Sequence, residues 1–206
     1  AIRRLCAQRL AQVRASGGVG AVLCDLAGSP IALVPEQANA QHYEVPSEFF
    51  QLVLGRHLKY SSALWPAGVE TLDAAEAAML TLTCQRADLH DGQEILELGC
   101  GWGSLSLFMA RRYPGARILA VSNSATQRAF LEARRPPNLE VVTADMNGFD
   151  PGRRFDRIVS VEMFEHMRDW PALLGRIADW LDDEGSVFIH VFCHAREAYL
   201  FETGSN

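Results

Sequence analysis

The sequence predicts an α/β fold: a mainly parallel twisted sheet with helices on both faces, preceded by an N-terminal helical cap. Three observations predict it. From residue 91 onward, short apolar runs alternate with helix-like segments, the rhythm of a parallel sheet with crossover helices. The first of those runs, residues 94–98, leads into glycines at 99, 101 and 103 and then at once into a helical stretch. Residues 1–90 show helical patterns and irregular stretches but no such alternation. Residues 1–90 are therefore expected to form a helical cap and lid, and residues 91–206 a ligand-binding core, the two making one structural unit.

The elements follow in order. The stretch from Ala1 to Arg14 is basic and amphipathic, with Ile2, Leu5, Arg9, Leu10 and Val13, and reads as an ordinary helix rather than a transit peptide. The absence of a leading methionine suggests a fragment. Gly17-Gly18-Val19-Gly20 reads as a hinge, and Pro30 and Pro35 bracket a short apolar run. Pro46 suits the first turn of a helix. Residues 47–58 then form a mostly buried helix carrying Phe49, Phe50, Leu52, Val53 and Leu54. A polar-aromatic loop, Tyr60 to Pro66, follows. Thr71 caps the next helix, with Asp73 and Glu76 near its positive end, and the helix runs to about Ala87.

In the core, strands are expected at residues 94–98, 117–121, 140–143, 155–161 and 186–192. Helices are expected at 104–112, 125–134 and about 170–181, with another helical segment from Glu165. In such a sheet the ligand lies outside the carboxyl ends of the strands. The chain stops soon after the fifth strand, so further C-terminal strands are expected to be absent. The open sheet edge that this leaves needs a cover.

Bulk properties narrow the classes. A chain of 206 residues fits one domain with a substantial core, and 49% hydrophobic with 21% charged residues is ordinary for a globular protein. A net charge of −6 argues against a nucleic-acid surface. Five cysteines without paired spacing suggest reduced thiols and a cytoplasmic location. No apolar run approaches the roughly 18 residues of a membrane span, so no stable membrane insertion is expected.

The glycine corner can be narrowed by spacing. A phosphate-binding loop needs a lysine after its second glycine, and the one lysine of the chain, Lys59, is far away in sequence. A dinucleotide fingerprint needs a third glycine three positions after the second, where this chain has Ser104. It also wants an acid about 20 residues on, where the second strand ends in Ser122-Asn123-Ser124. Gly99, Gly101 and Gly103, with Glu97 two positions before the first, fit an S-adenosylmethionine loop better.

Polar residues gather at the expected strand ends. Ser122, Asn123 and Ser124 follow the second strand, with Gln127 one turn on. Asp145 and Met146 follow the third, and Glu162 to His166 the fourth. Asn123 can bind ribose hydroxyls. Asp145 can accept from an adenine amino group, and Met146 can pack on the ring. Glu162 and His166, four apart, share one face if that segment is helical, and such a pair can take a proton from an amine. Strand alternation sends Cys193 away from His190 and His194, so no metal site is expected. His190 is expected to face the cleft and His194 the core.

The stretch His42-Tyr43 to Phe50, the Tyr60-Ser61-Ser62 loop, the Glu97–Gly103 loop and Val161–His166 resemble the cyclopropane-fatty-acid-synthase-like branch of class I S-adenosylmethionine methyltransferases. Within it, Phe49–Gly55, Lys59–Ser61, Glu162–Met167 and Phe192–His194 are similar to coclaurine-type N-methyltransferases. The resemblance covers residues 42 to 202 and implies a Rossmann-like methyltransferase fold. It also implies roles. Tyr60 and Ser61 close over the methionine portion of the cofactor, and Gly99, Gly101 and Gly103 line it. Asn123, Gln127, Asp145 and Met146 hold its ribose and adenine. Glu162 and His166 bind and deprotonate a small amine, with methylene transfer to an unsaturated acyl lipid, or a non-catalytic S-adenosylmethionine-binding module, as the alternatives. Glu165 and His190 match positions that hold a bicarbonate base in the lipid-modifying relatives. Those relatives carry cysteine where this chain has Ser62, and the amine enzymes continue well past Phe201-Glu202. A homodimer is a further expected partnership.

Overall fold

The computed structural model describes residues 2–15, 26, 28–32 and 46–193. Helix α1 spans Ile2–Ala15, α2 Ser47–Val53 and α3 Leu72–Arg86. The core then runs β1 (Glu94–Leu98), α4 (Ser104–Arg112), β2 (Arg117–Ser122), α5 (Ala125–Glu132), β3 (Leu139–Thr143), β4 (Phe155–Val161), α6 (Trp170–Trp180) and β5 (Leu181–His190). The expected elements agree with these to within a few residues, with three differences. Helix α2 stops at Val53 rather than Leu58, and it is mostly exposed rather than mostly buried, Phe50 being its buried residue. Glu165 lies in a three-residue 3₁₀ helix, Phe164–His166, and not at the start of a longer α-helix. Strand β5 starts five residues early, because its pairing jumps from Phe155↔Leu181 to Arg157↔Ser186 across a bulge. The Gly17–Gly20 hinge, Cys24, His42, Tyr43 and His194 lie outside the described residues.

All four strand pairings are parallel, in the order β3-β2-β1-β4-β5. Successive connections run from β1 outward to β3, and the chain then returns to place β4 on the other side of β1. The strand order therefore reverses between β1 and β4, and the crevice of such a sheet opens at that point.

Strand alternation divides the core into two layers. Ile95, Ile118, Ala120, Val141 and Val159 pack with Leu105 and Met109 of α4, Leu80 and Cys84 of α3 and Leu131 of α5. Leu96, Leu98, Leu119, Val121 and Ile158 pack with Leu173, Ile177 and Trp180 of α6. Side chains cap α3, α5 and α6, the first at Thr71 as expected. The Thr71 hydroxyl accepts from Ala74 N at 3.3 Å, Ser124 from Gln127 N at 3.3 Å, and the Asp169 carboxylate from Ala172 N at 3.0 Å. Asp169 also accepts from Gly28 N at 2.9 Å, and Asn147 bonds both main-chain groups of Ala32, at 3.1 and 3.0 Å. The segment 28–32 is thereby fastened to the core. Among the described residues no helix is long and apolar enough to cross a membrane.

Gly103 shows why the corner needs glycine. Its φ is +79°, and an added Cβ would collide with Leu131 Cδ2. Gly103→Ala is expected to lower stability by about 2 to 4 kcal/mol, the sum of left-handed strain and overpacking. Urea denaturation of the two proteins checks it.

Candidate functional site

The site is assembled where β1, β2 and β4 end. At the end of β1 the Gly99 and Cys100 amides both donate to Val121 O, at 3.0 and 2.9 Å, and turn the chain across the top of β2. Gly103 N closes the turn on Cys100 O at 2.9 Å and leads into α4. Gly99, Gly101 and Gly103 all have positive φ, but only Gly101 faces open space. A Cβ on Gly99 would lie 2.8 Å from Met163 Cβ. Two of the three glycines thus serve close packing, and Gly101 alone leaves bare backbone toward a ligand.

Beneath the turn, Glu97 is buried and accepts from the Ser106 hydroxyl of α4. Burial pushes its carboxyl up to about 7, against the opposing pull of that hydrogen bond and of the Lys59 ammonium. Trp102 is held between the rings of Phe50 and Phe130, each with its centroid 5.2 Å away, and its Nε1 is buried without a partner. The sequence reading did not single out Trp102. Its place inside the glycine turn, close in chain to two of the glycines, was the available signal.

After β2, Ser122 Oγ donates to Gln127 Oε1 at 2.6 Å and accepts from Ser124 N at 3.0 Å. Gln127 is buried and its Nε2 has no partner, while Asn123 beside it is exposed. After β3, the exposed Asp145 accepts from Asn147 N at 2.9 Å. Met146 is buried among Leu96, Leu119 and their neighbours.

After β4, Glu162 has φ +57°, and its amide donates to His190 O at 2.8 Å. Its carboxylate lies 3.5 Å from His190 Nε2. This corrects the helical-face expectation. Glu162 precedes the 3₁₀ turn in left-handed backbone and pairs with His190, whereas His166 lies at the end of that turn and is exposed. Glu165 Oε1 accepts from Phe192 N at 2.5 Å, and its Oε2 is buried without a partner. Because β5 ends at His190, the strand alternation argued for Cys193 does not reach that residue. The described residues contain no cluster able to hold a metal.

The cap supplies the remaining side. Tyr60 is exposed and packs edge-on against Phe50 at 5.7 Å, and Ser61 is half-buried. Lys59 is buried, and burial lowers its ammonium pKa, opposed in order by the charges of Glu162, Glu76 and Glu97. The cap loop therefore stands in electrostatic reach of both the β1 and β4 ends.

Comparison with known proteins adds a lineage. The family model described as mycolic acid cyclopropane synthetase matches residues 34–205. An (S)-coclaurine N-methyltransferase of Thalictrum flavum subsp. glaucum is 40% identical over 84% of this chain and 49% of the relative. The cyclopropane-fatty-acyl-phospholipid synthase of Escherichia coli (strain K12) is 32% identical over 73% of this chain and 39% of its own. Among solved structures, a coclaurine N-methyltransferase bound to N-methylheliamine and S-adenosylhomocysteine is similar with a TM-score of 0.90. Identity to it is 36%, over 96% of this chain and 60% of that one. A cyclopropane synthase of Mycobacterium tuberculosis is similar with a TM-score of 0.70 and 26% identity, over 79% of this chain and 58% of that one. The chain spans about half the length of the amine methyltransferase relatives that it matches.

The buried Glu97 makes stability depend on pH. Its folded pKa of about 7 lies above the ordinary 4.5, so the folded state holds a proton that the unfolded state releases. The contribution is complete below the ordinary value and is lost as pH rises toward and through about 7. Glu97→Gln is expected to remove this fall, up to about 3 kcal/mol. Denaturant titrations of both proteins at pH 4.5 to 8 measure the difference.

Proposed function

The chain belongs to the mycolic acid cyclopropane synthetase family, and we propose that it transfers a methyl group from S-adenosylmethionine to the nitrogen of a small, tetrahydroisoquinoline-like amine. The observation that carries this reading is the set of Glu162, Glu165, His166 and His190 at the ends of β4 and β5, beside the glycine turn at the reversal of strand order.

The residues present fit the cofactor. Gly101 has open space where a Cβ would be, and Gln127 Nε2 is a buried donor without an acceptor. In this reading Tyr60, Ser61, Gly99, Gly101 and Gly103 surround the methionine portion. Asn123, Gln127 and Asp145 bind ribose and adenine, with Glu97 and Met146 supporting from below. S-adenosylmethionine supplies the methyl group on a sulfonium, already a strong electrophile, and is released as S-adenosylhomocysteine.

The protein's task is then alignment and deprotonation. At neutral pH an amine is mostly an ammonium without a free lone pair. The Glu162 carboxylate draws it in, and His190 at 3.5 Å steadies that carboxylate. His166 takes the nitrogen's proton. Phe49 and Trp65 are exposed and available for cation–π contact with the ammonium, and Phe50 backs Phe49 from its place against Trp102. Phe164 is fully buried against Trp170 and takes no part in this wall.

Methylene transfer to an unsaturated acyl chain is the second reading, supported by the identity to the bacterial lipid enzyme. Ser62 in place of cysteine and the net charge of −6 favour the amine. Residues 1–90 act as the lid over residues 91–206. A cytoplasmic location fits the free thiols of Cys6, Cys84, Cys100 and Cys193, and a homodimer is the proposed assembly.

A screen of secondary and tertiary amines, tetrahydroisoquinolines included, with labelled S-adenosylmethionine tests the reaction, against an unsaturated phospholipid with and without bicarbonate. Glu162→Gln is expected to bind S-adenosylhomocysteine like the parent while kcat falls about 100-fold or more. Unchanged turnover would remove Glu162 from its role.

A further inference from the structure

Glu76 is fully buried on α3, yet the main chain of the cap loop, rather than a side-chain partner, receives its carboxylate. Oε1 accepts from Gly55 N at 2.9 Å and Lys59 N at 3.2 Å, and Oε2 accepts from His57 N at 2.9 Å. One turn earlier on the same helix, Asp73 Oδ1 accepts from Arg56 N at 2.8 Å. Four of the five amides from Gly55 to Lys59 are thus tied to two carboxylates of α3. The fifth, Leu58 N, closes on Gly55 O at 2.9 Å, with Leu58 at φ +52°. The approach is close enough to require glycine, since a Cβ on Gly55 would stand 2.6 Å from Glu76 Oε2 and 2.7 Å from Asp73 Oδ1.

Such a loop is a backbone cradle for an anion, filled here by the protein's own side chain. Burying a carboxylate is costly unless charge-assisted hydrogen bonds replace its water. Helix α3 already packs on the sheet through Leu80 and Cys84, so anchoring the helix does not account for a buried charge. The loop it holds leads straight into Tyr60 and Ser61, and Tyr60 packs on Phe50, which packs in turn on Trp102 of the glycine turn.

We propose that Glu76 is a positioning residue for the cofactor. It clamps the backbone of residues 55–59 into one shape, and so holds Tyr60 and Ser61 where they close over the methionine portion. The proposal rests on the methyltransferase reading above. Lys59 reports the same placement, because the charges of Glu162 and Glu97 act on its buried ammonium.

The test compares the whole chain with Glu76→Gln, which keeps the shape but lacks the second acceptor. Cys84→Ala, a buried change two turns along α3 that removes none of the loop's hydrogen bonds, controls for lost stability. Calorimetry with S-adenosylhomocysteine, hydrogen exchange and kinetics are the readouts. Glu76→Gln is expected to speed exchange at residues 55–61, and to raise Kd for S-adenosylhomocysteine and KM for S-adenosylmethionine about tenfold with kcat within about threefold. Cys84→Ala is expected to bind within about twofold of the parent. Parent-like affinity in Glu76→Gln, or equal weakening by both substitutions, overturns the proposal. If Glu76→Gln does not fold, the parent decides. S-adenosylhomocysteine must slow exchange at residues 55–61 together with 99–103, and protection of 99–103 alone overturns the clamp. A parent that gives neither heat nor protection anywhere marks the distinct failure of the methyltransferase reading, and the clamp falls with it.

Discussion

Strand β1 is hydrogen-bonded on both sides, to β2 from Glu94 to Leu98 and to β4 from Ile95 to Leu98, and both pairings are parallel. Three parallel strands in register must end at the same level, and the chain must then leave β1 toward β2 and enter β4 only after a detour through β3. The exits of β1 and β4 therefore separate and leave a crevice between them. The amides of Gly99 and Cys100, released where the ladder stops, share Val121 O and bend the chain away from that crevice. Helix α4 starts where it does, and Met163, the residue after Glu162, sits against Gly99 because of this pairing.

The crevice is framed by charges that the fold keeps out of water. Glu97 lies under α4 with Ser106 as its donor, Glu76 is wrapped by the cap backbone, and Lys59 is buried in electrostatic reach of both. In a low-dielectric setting such groups are directional and expensive to leave unpaired. They give the cap and the core a defined relation that apolar packing alone would leave looser. Of the groups proposed for chemistry, Glu162 and His190 are partly buried, each retaining a little over a quarter of its side-chain exposure, and His166 is exposed.

Legibility in the sequence differed by residue. The glycine triplet was readable because a strand followed by alternate glycines and a helix has few backbone solutions. Its division of labour was not, since Gly99 and Gly103 answer to Met163 and Leu131, which are distant in sequence. Glu162 and His166 were readable as a polar pair after a strand. The substitution of His190 as the close partner depends on the pairing of β4 with β5 and on the positive φ of Glu162. Met146 looked like a ligand-facing group at a strand end, and the lower layer of the core took it.

By itself the sequence determined the alternation of strands and helices, the cap at Thr71, the kind of loop after β1 and the family to which these patterns point. Those features are local, set by periodicity, capping chemistry and the backbone freedom of glycine. The tertiary structure alone decided which polar residues meet across the crevice. It brought Glu76 to the amides of residues 55–59, Glu162 to His190 and Lys59 to the two strand ends. Those contacts join segments separated by 17 to 28 residues or more. They arise only when the parallel sheet sets its strand ends side by side, and no local pattern of residue types encodes which ends those will be.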